Sequence, residues 1–391
     1  MIINEHPVWK NIHPFKKPLH LLRIHLARNM ARIYPRSIFI GITGTVGKTT
    51  TVNLSQAVLS QKIKVLSTKD NLDSVFNIPI TILKVRPNIK KVILEMGIEY
   101  KGEMDFYLSL VRPATAIVTR IAYQHTEFLQ GVEEIAKEKG KLIAQLPKEG
   151  SAILNWDDVR VRSMAELTDA KVIFFGTNPK QCHVWGGNIK TANYQTVFEL
   201  NYGVERVEIR LNLLGRHFVT AALAAAALGI DNGLSLINIK KGLESVKPAP
   251  HRLEAFEGSG GWTVLDDTYN ASPVSVEEAI NLLCELPARK RFVVLGEMRE
   301  LGEFNDKMHR SVAQKIYKEK VDFVLLGGGN AQIIADELIK LGYPTDRLES
   351  NLSHSQIVGS LLKNAKKGDL ILVKGARAVK LNEVVERITK K

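Results

Sequence analysis

Residues 37–50 read SIFIGITGTVGKTT. An apolar run stops at a glycine-rich turn, and Lys-Thr then opens a stretch with helical spacing. Apolar runs this short, placed before a helix, predict a buried parallel strand handing over to its crossover helix. That arrangement turns backbone N–H groups and a helix N-terminus toward one point, which suits phosphate. The usual phosphate-loop pattern wants a glycine six residues before the lysine. Counted back from Lys48 that position is Ile42, and the glycines stand at Gly41 and Gly44 instead. The strand before and the helix after still favour a nucleotide loop over a chance glycine turn. Lys48 is then placed to reach the terminal phosphates and the Thr49 hydroxyl to meet Mg²⁺.

The alternation continues. Residues 91–96, 114–119 and 151–156 read as further buried strands between helical stretches. Residues 182–213 differ, with short antiparallel strands and Gly and Asn turns, and an alanine-rich helix GRHFVTAALAAAALGI follows. KPAPHR (247–252) reads as a linker. After it WTVLDD, RFVVLGE, VDFVLLGGG and DLILVKG restart the pattern, each with a helical stretch behind it. The expected class is α/β in three parts. These are a basic helical segment (1–36), a central P-loop nucleotide-binding domain with a mostly parallel sheet (37–247), and a C-terminal Rossmann-like α/β domain (248–391).

Composition removes several alternatives. The 391 residues contain no apolar run near the ~20 residues of a membrane span, and MIINEHPVWK lacks the apolar core of a signal peptide. Cys182 and Cys284 are the only cysteines and lie far apart, which suits a reducing cytoplasm. The net charge of +13 suits nucleic acid, a membrane surface or anionic substrates, or simply a lysine-rich proteome. No zinc knuckle or RNP-type aromatic pattern supports nucleic acid. The basic residues are scattered except at 17–34, where Leu and Ile alternate with Arg, His and Lys at helical spacing. Such a helix either lies on a membrane or, more commonly, packs its apolar face on the next domain.

Other polar residues gain interest from their place at strand carboxyl ends, where open parallel sheets bind ligands. Glu95 ends one strand and His125 follows another, although each taken alone is more often a solvated cap or a structural histidine. Lys137, Lys139 and Lys141 lie on one amphipathic helix and read, on spacing alone, as a solvated lysine face. In the second unit Asp266, Asp267, Tyr269 and Asn270 end one strand, and Lys374 and Arg377 follow another. Together they suggest one cleft face that closes over the nucleotide.

Taken in order, several segments resemble the Mur ligases, ATP-dependent amide-forming enzymes of peptidoglycan synthesis, and most closely the branch that adds D-alanyl-D-alanine. The matching segments are Thr43 to Thr49, DNLDSVFNIPITIL (70–83), LEMGIEYKGE (94–103), QHTEFL (124–129), IAKEKGKLI (135–143), NWDD (155–158), GRHFVTAALAAAA (215–227), HRLE (251–254), DDTYNASP (266–273), LGEMRELGE (295–303), His309 and LVKGAR (372–377). The resemblance implies an ADP-forming acid–amino acid ligase that uses ATP and Mg²⁺ and works through an acyl phosphate. It implies nucleotide contacts from Gly44, Thr45, Gly47, Lys48, Thr49, Thr50, Asn155, Asp158, Arg252, Asp267 and Tyr269. It implies metal ligands at Thr49, Glu95, His125 and Lys139, the last as a carbamylated lysine, which would overturn the solvated reading of that helix. Lys48, His125, Lys139 and Arg252 become the catalytic set. Asn270, Lys374 and Arg377 fall where the branch positions its incoming amine. No protein nucleophile is required, because such a site works by positioning and by stabilising spreading negative charge.

The chain departs from the family in places. Only residues 1–36 precede the first strand, too few for the N-terminal domain that holds the UDP-sugar in muropeptide ligases. The expected acceptor is a cell-wall peptide precursor; a poly-γ-glutamate-like peptide or a cofactor acid is the alternative, and a non-catalytic ATP-binding module the competing class. Phe218 and Ala221 replace asparagines near the adenine. Arg120 replaces an asparagine, and His251 and Asn77 replace glycines.

Overall fold

The computed structural model describes residues 6–69, 72–123, 126–192 and 194–389. Its central sheet has nine strands: β1 (Phe39–Thr43), β2 (Val65–Ser67), β3 (Lys91–Glu95), β4 (Thr115–Val118), β5 (Ser151–Asn155), β6 (Lys171–Gly176), β7 (Val184–Ala192), β8 (Gln195–Tyr202) and β9 (Glu205–Leu211). They lie in the order β2-β3-β1-β4-β5-β6-β7-β8-β9. Strand β1 is buried along its length and pairs in parallel with β3 on one side and β4 on the other. The chain therefore moves outward from β1 in both directions, and the crevice beside β1 is a topological switch point, where such sheets bind ligands. The β7–β9 strands are antiparallel, as their Gly- and Asn-punctuated sequence predicts, and they extend the same sheet.

The second sheet holds β10 (Glu254–Glu257), β11 (Thr263–Asp267), β12 (Arg291–Leu295), β13 (Phe323–Gly327), β14 (Leu348–Leu352) and β15 (Leu370–Lys374), in the order β10-β11-β15-β12-β13-β14. All its pairings are parallel except β10 with β11. Register places Asp267 and Leu295 beside Lys374 at the strand ends.

Two helices join these layers. Lys48–Leu59 follows β1, and the alanine-rich His217–Asp231 helix buries every residue from Ala221 to Gly229. Small side chains there let backbones approach closely. One hydrophobic cluster runs from Ile40 and Val52 through Ala222–Leu228 to Leu265 and Leu295, so the two halves share a packed core. The opposite face of the central sheet is covered by a second cluster, to which the first helix (Lys17–Ile33) contributes Ile24, Ala27 and Ala31. The packing expected of that basic helix is therefore present along one of its faces.

Candidate active site

The glycine displacement in the phosphate loop has a local cause. Gly44 has φ +147°, and a Cβ there would fall 2.0 Å from Thr119 Oγ1. Gly47, at φ +82°, is the N-cap of the following helix. Only glycine enters both positions without strain. Ile42 stays in the strand, fully buried. The turn is pinned to the segment after β4: Thr45 N–H donates to the Arg120 carbonyl at 2.6 Å, and Thr119 Oγ1 donates to the Val46 carbonyl at 2.7 Å. Lys48 folds back over its own loop, donating to the Thr45 carbonyl at 3.0 Å. Burial holds its ammonium below the usual lysine range, opposed by Glu95 and reinforced by Arg252.

Thr49 Oγ1 donates to Glu95 Oε2 at 2.9 Å, so a hydroxyl from the helix N-terminus after β1 and a carboxylate from the end of β3 share one wall. These hard oxygens fit Mg²⁺, which keeps several waters and takes phosphate oxygens for the rest of its shell. Among the described residues no group of three or more His, Cys, Asp and Glu side chains is placed to hold a metal. His125 lies outside the described residues.

A cavity of about 260 Å³ lies against this loop and is shared by both halves of the molecule. Lys48, Thr49, Thr50 and Glu95 line one side, and Arg252, Asp267, Tyr269, Asn270 and Lys374 the other. Phe218 and Ala221 also line it, so the replaced asparagines leave an apolar wall suited to a flat ring. Arg252 stacks its guanidinium 4.0 Å from the Tyr269 ring, and Arg377 approaches the same ring at 5.7 Å. His251 and Leu253, on either side of Arg252, have φ of 64° and 53°. That left-handed conformation explains a glycine preference before the arginine. Here His251 occupies it with its ring 2.7 Å from Asp266 Oδ2.

Lys139 parts from the other two lysines, because two residues on from Lys137 it turns about 200° round the helix. Lys137 is exposed, and Lys141 pairs with Asp105 and Glu138 at 2.6 Å each. Lys139 is 2% exposed, so the solvated reading fails for it. Burial, followed by the field of Lys48, pushes its ammonium well below the usual lysine range. Two buried carboxylates lie nearby. Glu103 takes N–H bonds from Glu99 and Tyr100, and Glu138 takes them from Gly102 and Met104.

Two expected contacts sit elsewhere than a ligand wall, and a third lies on the wall with its ammonium already engaged. Asn155 donates to the Thr119 carbonyl at 2.7 Å, and Asp158 accepts from Ile121 N–H at 2.8 Å while capping the next helix. Both hold the turn that holds the phosphate loop, and neither lines the cavity. Lys374 lines it, but its ammonium is taken up by Asp267 at 2.6 Å and the Asn270 carbonyl at 2.9 Å.

A second cavity, about 310 Å³, adjoins the first through Tyr269, Asn270 and Ser272, with Arg299 and Arg377 on its wall. Arg299 lies in the matching segment LGEMRELGE (295–303), where the resemblance gives it no role. It follows β12, and the strand-end rule that flagged Glu95 would have flagged it too.

A Mur ligase middle domain matches residues 42–229, and a Mur ligase glutamate ligase domain matches residues 251–377. The UDP-N-acetylmuramoyl-tripeptide–D-alanyl-D-alanine ligase of Bacillus subtilis is 33% identical over 89% of this chain and 75% of its own. The chain belongs to the Mur ligase family. The corresponding ligase of Escherichia coli is 31% identical over 89% of this Mur ligase and 76% of its own length. MurF from Thermotoga maritima, solved with ADP, shares the fold at TM-score 0.82 and 24% identity, covering 94% of this chain and 83% of that one. The enzymes of this family are ATP-dependent ligases that form amide bonds.

Proposed function

We propose that this Mur ligase activates the carboxylate of a cell-wall peptide precursor as an acyl phosphate and joins it to D-alanyl-D-alanine or a similar dipeptide. The observation that carries the reading is the junction of the two cavities at Tyr269, Asn270 and Ser272. One side offers a triphosphate loop, and the other offers Arg299 and Arg377, cations suited to the carboxylate of an incoming peptide. The names of the curated relatives favour the same pair of substrates.

The chemistry follows from that placement. An acceptor carboxylate oxygen attacks the γ-phosphorus and ADP leaves. The amine then attacks the acyl carbon and phosphate leaves. Lys48 and Arg252 face the oxygens on which charge builds. Thr49 and Glu95 would hold Mg²⁺, which supplies countercharge to the phosphates when bound. Lys139 supports a carbamate, because burial lowers its proton affinity and so favours the neutral amine that CO₂ requires. His125 belongs with these groups by resemblance. Asn155 and Asp158 act through the turn they hold. The reading takes 1–36, 37–247 and 248–391 as three units, with nucleotide between the last two, and places the enzyme in the cytoplasm.

The test is release of ADP and phosphate by the purified protein with UDP-muramoyl tripeptide and D-alanyl-D-alanine, with mass detection of the joined product. Turnover that needs both substrates is expected. Turnover with a different acceptor would redirect the substrate assignment, and hydrolysis indifferent to every acceptor–amine pair would overturn the ligase reading.

A further inference from the structure

The first helix has two apolar faces, and only one is covered. Ile24, Ala27 and Ala31 are buried. Phe15, on the turn leading in, and Leu19, Leu22, Leu26 and Ile33 are 88, 48, 54, 47 and 79% exposed. These five recur at steps of four and three, with Asn29 at the one polar step, and fall within roughly 60° of arc at ~100° per residue. The helix is fixed in place from behind. Arg28 Nη2 donates to Ser109 Oγ at 3.0 Å, and His20 packs on Phe76 at 4.5 Å. The exposed stripe is therefore presented as a rigid ridge.

Its borders are cationic on both sides. Lys16 and Arg23 flank one edge, and Arg32 the other. No Asp or Glu occurs from residue 6 to residue 69. Among the described residues Lys16, Arg23 and Arg32 form no ion pair. A second copy seated on this ridge would bring like charges together along both edges, which opposes pairing as it does in coiled coils. An anionic lipid surface satisfies stripe and borders at once: the leucines enter the acyl boundary and the arginines meet headgroup phosphates. No helix among the described residues is long and apolar enough to cross a membrane, so the contact is one of lying on the surface.

We propose that residues 15–33 form a peripheral docking ridge for anionic membranes. The proposal is independent of the ligase reading and is tested separately from turnover. The full chain is sedimented with vesicles of phosphatidylcholine alone and with roughly 30 mol % phosphatidylglycerol added. Binding to the anionic vesicles is expected to be at least ~10-fold tighter and to be released by ~0.5 M salt. Leu22→Ser with Leu26→Ser should weaken it by about 10-fold or more, and Arg23→Gln with Arg32→Gln by about 10-fold. Leu22, Leu26 and Arg32 are exposed and Arg23 is half-buried at the edge of the ridge, all away from the buried Ile24, Ala27 and Ala31, so thermal stability and basal nucleotide hydrolysis should not change. Three outcomes overturn the proposal: no preference for anionic vesicles, binding indifferent to the leucine changes (attraction to any polyanion), or a dimer in sedimentation velocity that the leucine changes dissolve.

Discussion

Two lysines are 2% exposed, one in each half of the molecule, and they solve burial in opposite ways. Lys374 ends β15 beside Asp267, with the carboxylate at 2.6 Å and the Asn270 carbonyl at 2.9 Å. Lys139 sits mid-helix and, among the described residues, has no ion pair or hydrogen bond; burial drives it toward the neutral amine. A paired ammonium organises a loop, whereas an unpaired one becomes a weak acid and a potential nucleophile. Identical residues at equal burial therefore point to a structural role in one half and a chemical role in the other.

The harshest way to break this contrast is to take away the partner. Asp267→Ala strands the Lys374 charge and should cost ~3–5 kcal/mol, read as a shift in urea unfolding. Asp267→Leu with Lys374→Met should restore most of that, since a buried pair replaced by apolar groups is often neutral. A cost for Asp267→Ala below about 1 kcal/mol would mean that the pair does not hold the strand ends together. Lys139 should behave in the reverse sense. Lys139→Ala should lower kcat by ~10²–10³-fold, and short carboxylates should restore part of it. Full activity without rescue would end the carbamate reading.

A smaller effect sharpens the same contrast through pH. The Lys139 proton affinity is depressed in the folded state, so the unfolded chain binds more protons between that lowered pKa and the ordinary lysine value of ~10.4. The penalty is full below the lowered pKa and disappears above the ordinary one. Stability should therefore rise with pH through this window in CO₂-free buffer. Lys139→Met should flatten the rise and raise Tm at neutral pH. An unchanged slope in that variant would assign the rise to other groups, Lys48 first among them.

The contrast also marks what the sequence could reveal. Strands β1, β3, β4 and β5 were legible because burial on both faces writes continuous apolar runs. Strands β2 and β14 were not, being short or partly exposed at sheet edges, and β6 begins with an exposed Lys171 and a half-buried Val172. The phosphate loop was legible because its glycines answer a local backbone demand. The separation of Lys139 from Lys137 and Lys141 was legible only in part: two residues on from Lys137, Lys139 turns about 200° round the helix, away from the face the other two share, but the spacing does not say what that second face meets. Asn155 and Asp158 were found by resemblance, and their direct work is on the 119–122 turn, a contact between distant segments that no local pattern encodes.

The mildest prediction asks whether pairing or burial sets these magnitudes. Arg120 Nη1 meets Glu278 Oε1 at 2.6 Å, the same distance as in the Lys374–Asp267 pair, but the two side chains are 44% and 21% exposed. The pair links the phosphate-loop half to the Pro273–Glu285 helix of the other half at the edge of the cavity. Water screens it, so Arg120→Ala should cost only ~0.2–1 kcal/mol in unfolding, and the cost should shrink in high salt. Because the pair helps hold the two cavity walls together, KM for ATP should rise by about two- to fivefold, with kcat nearly unchanged. If Arg120→Ala destabilises the protein as much as Asp267→Ala, then pairing across the halves, rather than the removal of water, is what makes a charged contact strong in this enzyme.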